Sequence, residues 1–363
     1  MRSRLPFRYL EPTFFSGLLD DPVLWLNVRP LGRSMMIDCG QIHHLAKRVL
    51  KSTDALFITH AHMDHFMGID TFIRNVHVAP RTIDLFGPPG LAGKLTRKLH
   101  GYDWNLAEPS WCSLRVREIF PDRIRSFLLS GPESFRCHAE GDEPRTGRKI
   151  YGNDFLTVAA AQGDHKIPVL VYRITETPTF QVDEGKIARL GWVKGPWLRA
   201  LKKRFYRREL NGEPLKVPRK TGNEIIEERI TDVEGLYRNI RREQSPSSIG
   251  FLTDIGFTAE NRGMAASLLE GVTLLICECS FLAEDVDKAR ASYHLAAPDV
   301  NALIRKLRPA FFLPMHLSKT YVHRSHQLYD QLQIPEGVTL LRLPDHRTPR
   351  PLLPAEARGI NRE

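Results

Sequence analysis

Residues 57–68 read FITHAHMDHFMG and place His60, His62, Asp64 and His65 within six consecutive positions. Histidine is only 14 of the 363 residues, so chance would rarely crowd three of them beside an acid. The stretch leading in, DALFITH (54–60), reads as a β-strand, and the residues after it carry helical spacing. On extended chain His60 and His62 are two apart and face the same way, while Asp64 and His65 enter the helix at another angle. One short loop can therefore offer nitrogen ligands to one metal, and a carboxylate with a nitrogen to a second. Imidazole with carboxylate suits zinc first, with manganese or iron also admitted.

A loop this short cannot close a two-metal site, so later strand ends must complete it. Three isolated residues stand in such places. His165 in AAQGDHKIP lies between two strands, Asp254 in IGFLTDIGF ends a strand before a helix, and His316 in FFLPMHLS ends another. Taken singly, each is more often a capping or structural polar residue. In that order after THAHMDH, they supply the His, Asp and His that two metals lack.

The rest of the chain supports a layered α/β or α+β core. Strands are expected at 23–28, 34–38, 54–60, 155–162, 167–174, 248–254, 272–278 and 310–316. Helices are expected at 41–51, 64–75, 89–100, 258–270, 284–293, 298–307 and 322–333. Cys277 and Cys279, as C-x-C on a strand, point to one face and read as core. The five cysteines are odd in number and scattered, which argues for a reducing cytoplasm and against a disulfide framework. No apolar run is long enough to span a membrane, and Arg8 and Glu11 interrupt any signal-peptide pattern.

One segment differs from the rest. Residues 185–208, GKIARLGWVKGPWLRALKKRFYRR, contain nine Lys or Arg and no acid, with Trp192, Trp197, Phe205 and Tyr206 among them. Falling between two strands, this is an insertion, an arm over 181–217. Its bases can neutralise phosphates and its rings can stack on bases. Lys194, Trp197, Arg199, Lys202, Lys203 and Arg204 are the candidate substrate contacts. The plainer alternative is an amphipathic helix in which Trp197, Leu198 and Leu201 pack inward. The net charge of +10 agrees with an anionic partner, nucleic acid first. Residues 346–363, rich in Pro and Arg, read as a loose tail.

The order H-x-H-x-D-H, His, Asp, His resembles the metallo-β-lactamase superfamily over about residues 20 to 345. That resemblance implies an αββα sandwich, here a hydrolase domain over 1–345 interrupted by the arm. It also implies two metals, zinc or else manganese or iron. His60, His62 and His165 would hold one, Asp64, His65 and His316 the other, with Asp254 bridging. Asp38, in MMIDCG, would brace the metal loop. LFGPPGL (85–91), HKIPVLVYRITE (165–176), the Gly-Pro stretch at 188–202 and ECSF…YHL (278–295) are similar to the ribonuclease Z branch. This branch trims the 3′ trailer of precursor tRNA. Leu295 and Ala296 replace its usual hydroxyl residues, and APRTID (79–84) only loosely matches its loop for the tRNA acceptor end.

The chemistry implied is hydrolysis of a phosphodiester. Two metals about 3.5–4 Å apart lower the pKa of a bridging water and hold the phosphate oxygens. Asp64 would ligate and also orient that water or take its proton. His294 would protonate the leaving 3′ oxygen, with Glu278 setting its tautomer. RNA, precursor tRNA above all, is then the partner, and a homodimer is compatible with this reading. A hydrolase of a small lactone, thioester or cyclic nucleotide is the enzymatic alternative, since one fold hosts many chemistries. A catalytically dead binding module is disfavoured by the full set of seven ligands.

Overall fold

A computed structural model describes residues 5–347 apart from 223. The described residues fall into two compact units, one of 5–176 with 247–347 and a second of Thr177–Pro246.

The first unit holds two sheets. Strands β1 (Leu10–Phe14), β2 (Leu24–Val28), β3 (Arg33–Ile37), β4 (Thr53–Phe57), β5 (Thr82–Gly87), β6 (Ser113–Ile119), β7 (Arg123–Ser130) and β8 (Arg136–Pro144) pair in sequence order. After them come β9 (Lys149–Gly152), β10 (Leu156–Asp164) and β11 (Pro168–Glu176). The second unit contributes β12 (Leu215–Thr221) and β13 (Glu224–Ile230), an antiparallel pair of their own. Strands β14 (Ser248–Leu252), β15 (Leu274–Glu278), β16 (Phe311–Met315) and β17 (Thr339–Leu340) complete the second sheet of the first unit, in the order β17-β16-β15-β14-β11-β10-β9.

Strands β3 to β6 run parallel, as do β14 to β17. Parallel neighbours need crossovers, and a helix crossing over returns the chain to the same starting edge. Helices Lys47–Ser52, Ile69–Val76 and Leu91–Leu99 serve the first sheet; Ala259–Leu269, Ala297–Leu307 and His326–Gln331 serve the second. One core of inward residues from both sheets, among them Leu26, Ile37, Phe57, Tyr172, Phe251 and Ile276, lies between them. The outer faces are covered by helical residues such as Phe72 and Leu95 on one side and Leu268 and Ile304 on the other. This is the αββα sandwich. Strands β14 and β15 are buried at every position, which is why they read as unbroken apolar runs.

Several expected boundaries move. The helix expected at 41–51 begins only at Lys47. The one expected at 64–75 breaks into Met63–Phe66 and Ile69–Val76 at Gly68, where a Cβ would lie 2.5 Å from the Cys39 carbonyl oxygen. Residues 82–84 of the stretch matched to a loop instead open β5. Strands β6 to β8 were not anticipated because their exposed faces carry charge. Arg115 pairs with Glu140 and Arg125 with Asp142 across the sheet, which masks a strand signal sought in apolar residues. Cys277 and Cys279 both lie in the core beneath Ala297–Leu307, and all five cysteines are free thiols. Among the described residues no helix is long and apolar enough to cross a membrane.

The arm expected over 181–217 falls within the second unit, which runs on to Pro246. Helices Glu184–Arg189, Trp197–Arg207 and Val233–Ile240 and the β12–β13 pair enclose a core of Ile187, Trp197, Leu201, Leu215, Val217, Leu236 and Ile240. The tail expected at 346–363 lies outside the described residues beyond Arg347. His346 Nδ1 and the Arg347 N–H both bond the Asp20 carboxylate, at 2.7 and 2.6 Å.

Candidate metal centre

Parallel strands that share a direction deliver their C-terminal ends to one edge, and ligands gather there. β4 leads into Thr59 and His60, β3 into Asp38, β14 into Asp254, β15 ends on Glu278 and β16 leads into His316. The turn between β10 and β11 brings in His165. The Leu170 N–H donates to the Thr59 carbonyl at 2.9 Å and the Tyr172 hydroxyl to the Ile58 carbonyl at 2.7 Å. These two bonds tie the second sheet to the strand that carries His60.

Asp38, Asp254 and His316 all adopt left-handed backbone, with φ of 54°, 48° and 61°. Such a conformation costs a non-glycine residue of order ~1–3 kcal/mol and persists only where surroundings enforce it. Here it turns each side chain back across its strand end. Asp38 is fully buried and accepts three bonds: the Thr59 N–H at 2.7 Å, the Thr59 hydroxyl at 2.8 Å and His65 Nδ1 at 2.8 Å. With Nδ1 occupied, the lone pair of His65 is on Nε2, which faces the cluster.

Asp254 is the hub. Its Oδ2 lies 3.5 Å from His60 Nε2, 3.4 Å from His65 Nε2 and 3.7 Å from His165 Nε2, and its Oδ1 lies 3.6 Å from His316 Nδ1. His316 Nε2 is 3.1 Å from Asp64 Oδ2. His60, His62, His165 and Asp254 form one close group, and Asp64, His65 and His316 a second. His165 is held by a 2.6 Å bond from Nδ1 to the Tyr293 carbonyl. His62 is exposed, whereas His60 and His65 are buried.

This donor set fits a divalent cation. His60 Nε2 and His65 Nε2 are buried without a hydrogen-bond partner, a costly arrangement for polar nitrogens unless a cation takes their lone pairs. Ligands about 2.0–2.1 Å from a tetrahedral ion stand roughly 3.3–3.4 Å apart, close to the spacing around Asp254. Burial, with His65 beside it, holds His60 down to about 2, so it is neutral. Burial would raise Asp254, but His316 and His65, when protonated, hold it well below the usual carboxylate range, so it is ionised, and a cation binding there would displace protons from those rings.

Beside this cluster, His294 Nδ1 meets Glu278 Oε2 at 2.8 Å. Glu278 is fully buried, and its Oε1 accepts the Ile255 N–H at 2.8 Å. Burial opposes protonation of His294, yet the Glu278 carboxylate overcomes it and raises the group to about 9. Glu278, Asp254, His294 and His316 also lie close enough to hold an ion. The Glu278 oxygens are already taken by the Ile255 N–H, the Ser280 hydroxyl and His294 Nδ1. A cleft of about 370 Å³ opens on Asp64, His294 and His316 and is lined further by Asp20, Asp21, Phe281, Ser318 and Lys319.

Residues 35–182 match the Beta-lactamase superfamily domain. A curated ribonuclease Z from Deinococcus radiodurans is 31% identical over 79% of this chain and 83% of its own. The chain belongs to the ribonuclease Z family. It is a metal-dependent hydrolase of the endoribonuclease class. A second ribonuclease Z, from Microcystis aeruginosa, is 26% identical over 79% of this chain and 76% of its own. The metallo-beta-lactamase fold protein YhfI from Bacillus subtilis shares the fold, with a TM-score of 0.51, 12% identity, and coverage of 92% of this chain and 97% of that one.

Within this ribonuclease Z relative, Leu295 and Ala296 depart from the hydroxyl residues usual in the branch, and their side chains are buried. The backbone of Leu295 makes polar contacts there. Its carbonyl accepts the Ser280 N–H at 3.0 Å, and its N–H reaches Glu278 Oε2 at 3.4 Å. The expected substrate contacts divide. Trp197 is a correction: it is only 5% exposed, and its indole N–H donates to the Val193 carbonyl at 2.8 Å, so its ring is core and cannot stack on a base. Lys194 is exposed but pairs with Glu184 at 2.5 Å, and Arg204 is half-buried and donates to the Glu213 carbonyl. Arg199, Lys202 and Lys203 are exposed.

Sequence reasoning missed Thr59, Tyr293, Ser280 and the cleft residues Asp20, Asp21 and Lys319. Position alone signalled Thr59, beside His60, and Ser280 and Tyr293, within the stretch that holds Glu278 and His294. It also missed Gly40, where a Cβ would lie 2.0 Å from the Asp64 carbonyl oxygen and 2.5 Å from Asp21 Cβ. The Cys39 N–H bonds the His65 carbonyl at 2.9 Å, so the loop after β3 presses directly on the metal loop. Gly40→Ala is expected to lower stability by about 1–3 kcal/mol, the usual range for overpacking, and to weaken metal binding by moving Asp64. Denaturant unfolding and a chelator titration check both.

Proposed function

We propose that this chain removes the 3′ trailer from precursor tRNA in the cytoplasm, using two zinc ions held by seven side chains. One ion would be held by His60, His62 and His165, the other by Asp64, His65 and His316, with Asp254 shared. The observation that carries this reading is the pairing of that donor cluster with a His294–Glu278 dyad opening on one cleft. The curated relatives named ribonuclease Z support the RNA substrate, and the five free thiols suit a reducing compartment.

When bound, the metal pair supplies Lewis acidity toward the phosphate and a more acidic water. The protein's own groups do the rest. Asp38 and Thr59 hold the metal loop rigid. Asp64, partly open to the cleft, orients the attacking water through a carboxylate oxygen. His294, protonated and oriented by Glu278, donates from Nε2 to the ribose 3′ oxygen as its bond to phosphorus breaks. The products are a 3′ hydroxyl on the tRNA and a 5′ phosphate on the trailer. The deciding experiment incubates metal-loaded protein with 3′-extended tRNA and with bis(p-nitrophenyl) phosphate. A single cut at the trailer junction supports the reading, and hydrolysis of the small ester alone sinks it.

The exposed bases of the second unit are the proposed RNA grip. Deleting 186–208 would remove Trp197 and Leu201 from that unit's core, so charge reversal is the cleaner test. Arg199→Glu with Lys202→Glu and Lys203→Glu should leave bis(p-nitrophenyl) phosphate hydrolysis intact. The slope of log affinity for RNA against log salt should shrink by about 2–3, the contribution of three phosphate contacts. An unchanged slope would mean that these bases do not meet RNA.

A further inference from the structure

Among the described residues, one side-chain hydroxyl is hydrogen-bonded to the His294–Glu278 pair, and it belongs to Ser280. Its Oγ lies 2.7 Å from Glu278 Oε2, 2.9 Å from the His316 carbonyl oxygen, 3.2 Å from His316 Nδ1 and 3.4 Å from His294 Nδ1. The residue is only 3% exposed, so water does not substitute easily for these contacts. We propose that Ser280 is a positioning residue that couples the metal cluster to the proton donor, fixing the ring of His316 and the carboxylate that orients His294. The inference rests on the roles proposed above for those two histidines.

The hydroxyl has one proton and several neighbours. A carboxylate oxygen is the strongest acceptor in reach and also the nearest, so the proton goes to Glu278 Oε2. The oxygen lone pairs of Ser280 are then free to accept from His316 Nδ1–H. The other candidate acceptor for that N–H, Asp254 Oδ1, is 3.6 Å away and outside hydrogen-bond range. With Nδ1 protonated, the lone pair of His316 sits on Nε2, the atom 3.1 Å from Asp64 Oδ2 in the second donor group. The same contact anchors Glu278. Oε2 receives Ser280 and His294, and Oε1 receives the Ile255 N–H next to Asp254. The carboxylate therefore cannot rotate without breaking a bond on each side. A partner of this kind on a metal-ligating histidine typically contributes about 10–100-fold to metal affinity or activity.

The test compares Ser280→Ala with Ser280→Thr, which keeps the hydroxyl. In chelator competition, Ser280→Ala should bind metal about 10–100-fold more weakly. At saturating metal it should lose about 10-fold more activity on 3′-extended tRNA than on bis(p-nitrophenyl) phosphate, less than the ~10²–10⁴-fold for removing a general acid outright. Ser280→Thr should restore both. Should Ser280→Ala fail to fold, Ser280→Cys, similar in volume and a weak donor, makes the same comparison. Unchanged metal affinity and an unchanged substrate ratio in a folded Ser280→Ala protein overturn the proposal, as does a Ser280→Thr protein no better than Ser280→Ala. The chelator arm needs no assumption about the acid, so it decides Ser280 even if His294→Ala fails to separate the two substrates.

Discussion

Replacing His294 with alanine should cripple RNA cleavage by roughly 10²–10⁴-fold while sparing bis(p-nitrophenyl) phosphate. A ribose 3′ oxygen leaves as a strongly basic alkoxide and needs a proton in the transition state, whereas p-nitrophenolate does not. The structure gives this expectation its geometry. His294 lines the cleft, and its Nδ1 is committed to Glu278 at 2.8 Å, which leaves Nε2 to donate. It also determines what Glu278→Gln should do. Glu278 Oε1 holds the Ile255 N–H beside Asp254, so this variant should show a milder split together with a modest loss on both substrates. Steady-state rates on the two substrates at saturating metal check this. Equal losses for His294→Ala would mean that the histidine holds the site together and that the acid lies elsewhere.

Loss of a metal ligand should behave differently, with both activities falling together by more than about 10²-fold, the upper range for disturbing only a ligand's partner. His62→Ala is the clean variant because His62 is exposed and its removal leaves no cavity in the core. Asp254 is buried with φ of 48°, so Asp254→Asn is preferable to alanine: asparagine tolerates left-handed backbone and keeps the volume. Elemental analysis should find fewer than two ions per chain in each variant, with thermal melting showing a folded protein. Full activity in a preparation without metal would remove the basis for the whole mechanism.

The cluster of donor side chains after β4 was legible in the sequence because its residues are local. His60, His62, Asp64 and His65 lie within one strand-to-helix turn, and period-two geometry alone points two of them the same way. The apolar strands around them were legible for the same reason: β14, β15 and β16 are buried on both faces, so composition and burial coincide. His165, Asp254 and His316 could be picked out only as polar residues at strand ends. Their grouping needed the order of the whole pattern, since His316 meets Asp64 across 252 positions.

Other features became visible only when distant segments met. Trp197 looked like a stacking ring among bases. Its burial depends on Leu215, Val217, Leu236 and Ile240, which no pattern within 185–208 could announce. Gly40 matters because the loop after β3 touches the carbonyl of Asp64, and Ser280 because two histidines from separate segments converge on one hydroxyl. Sequence by itself determined the donor types, the strand ends that carry them and the charge of the inserted segment, since each follows from local periodicity and composition. Tertiary structure alone decided which nitrogen each histidine turns to the cluster and which aromatics remain outside, because hydrogen-bond partners and burial are supplied by residues remote along the chain.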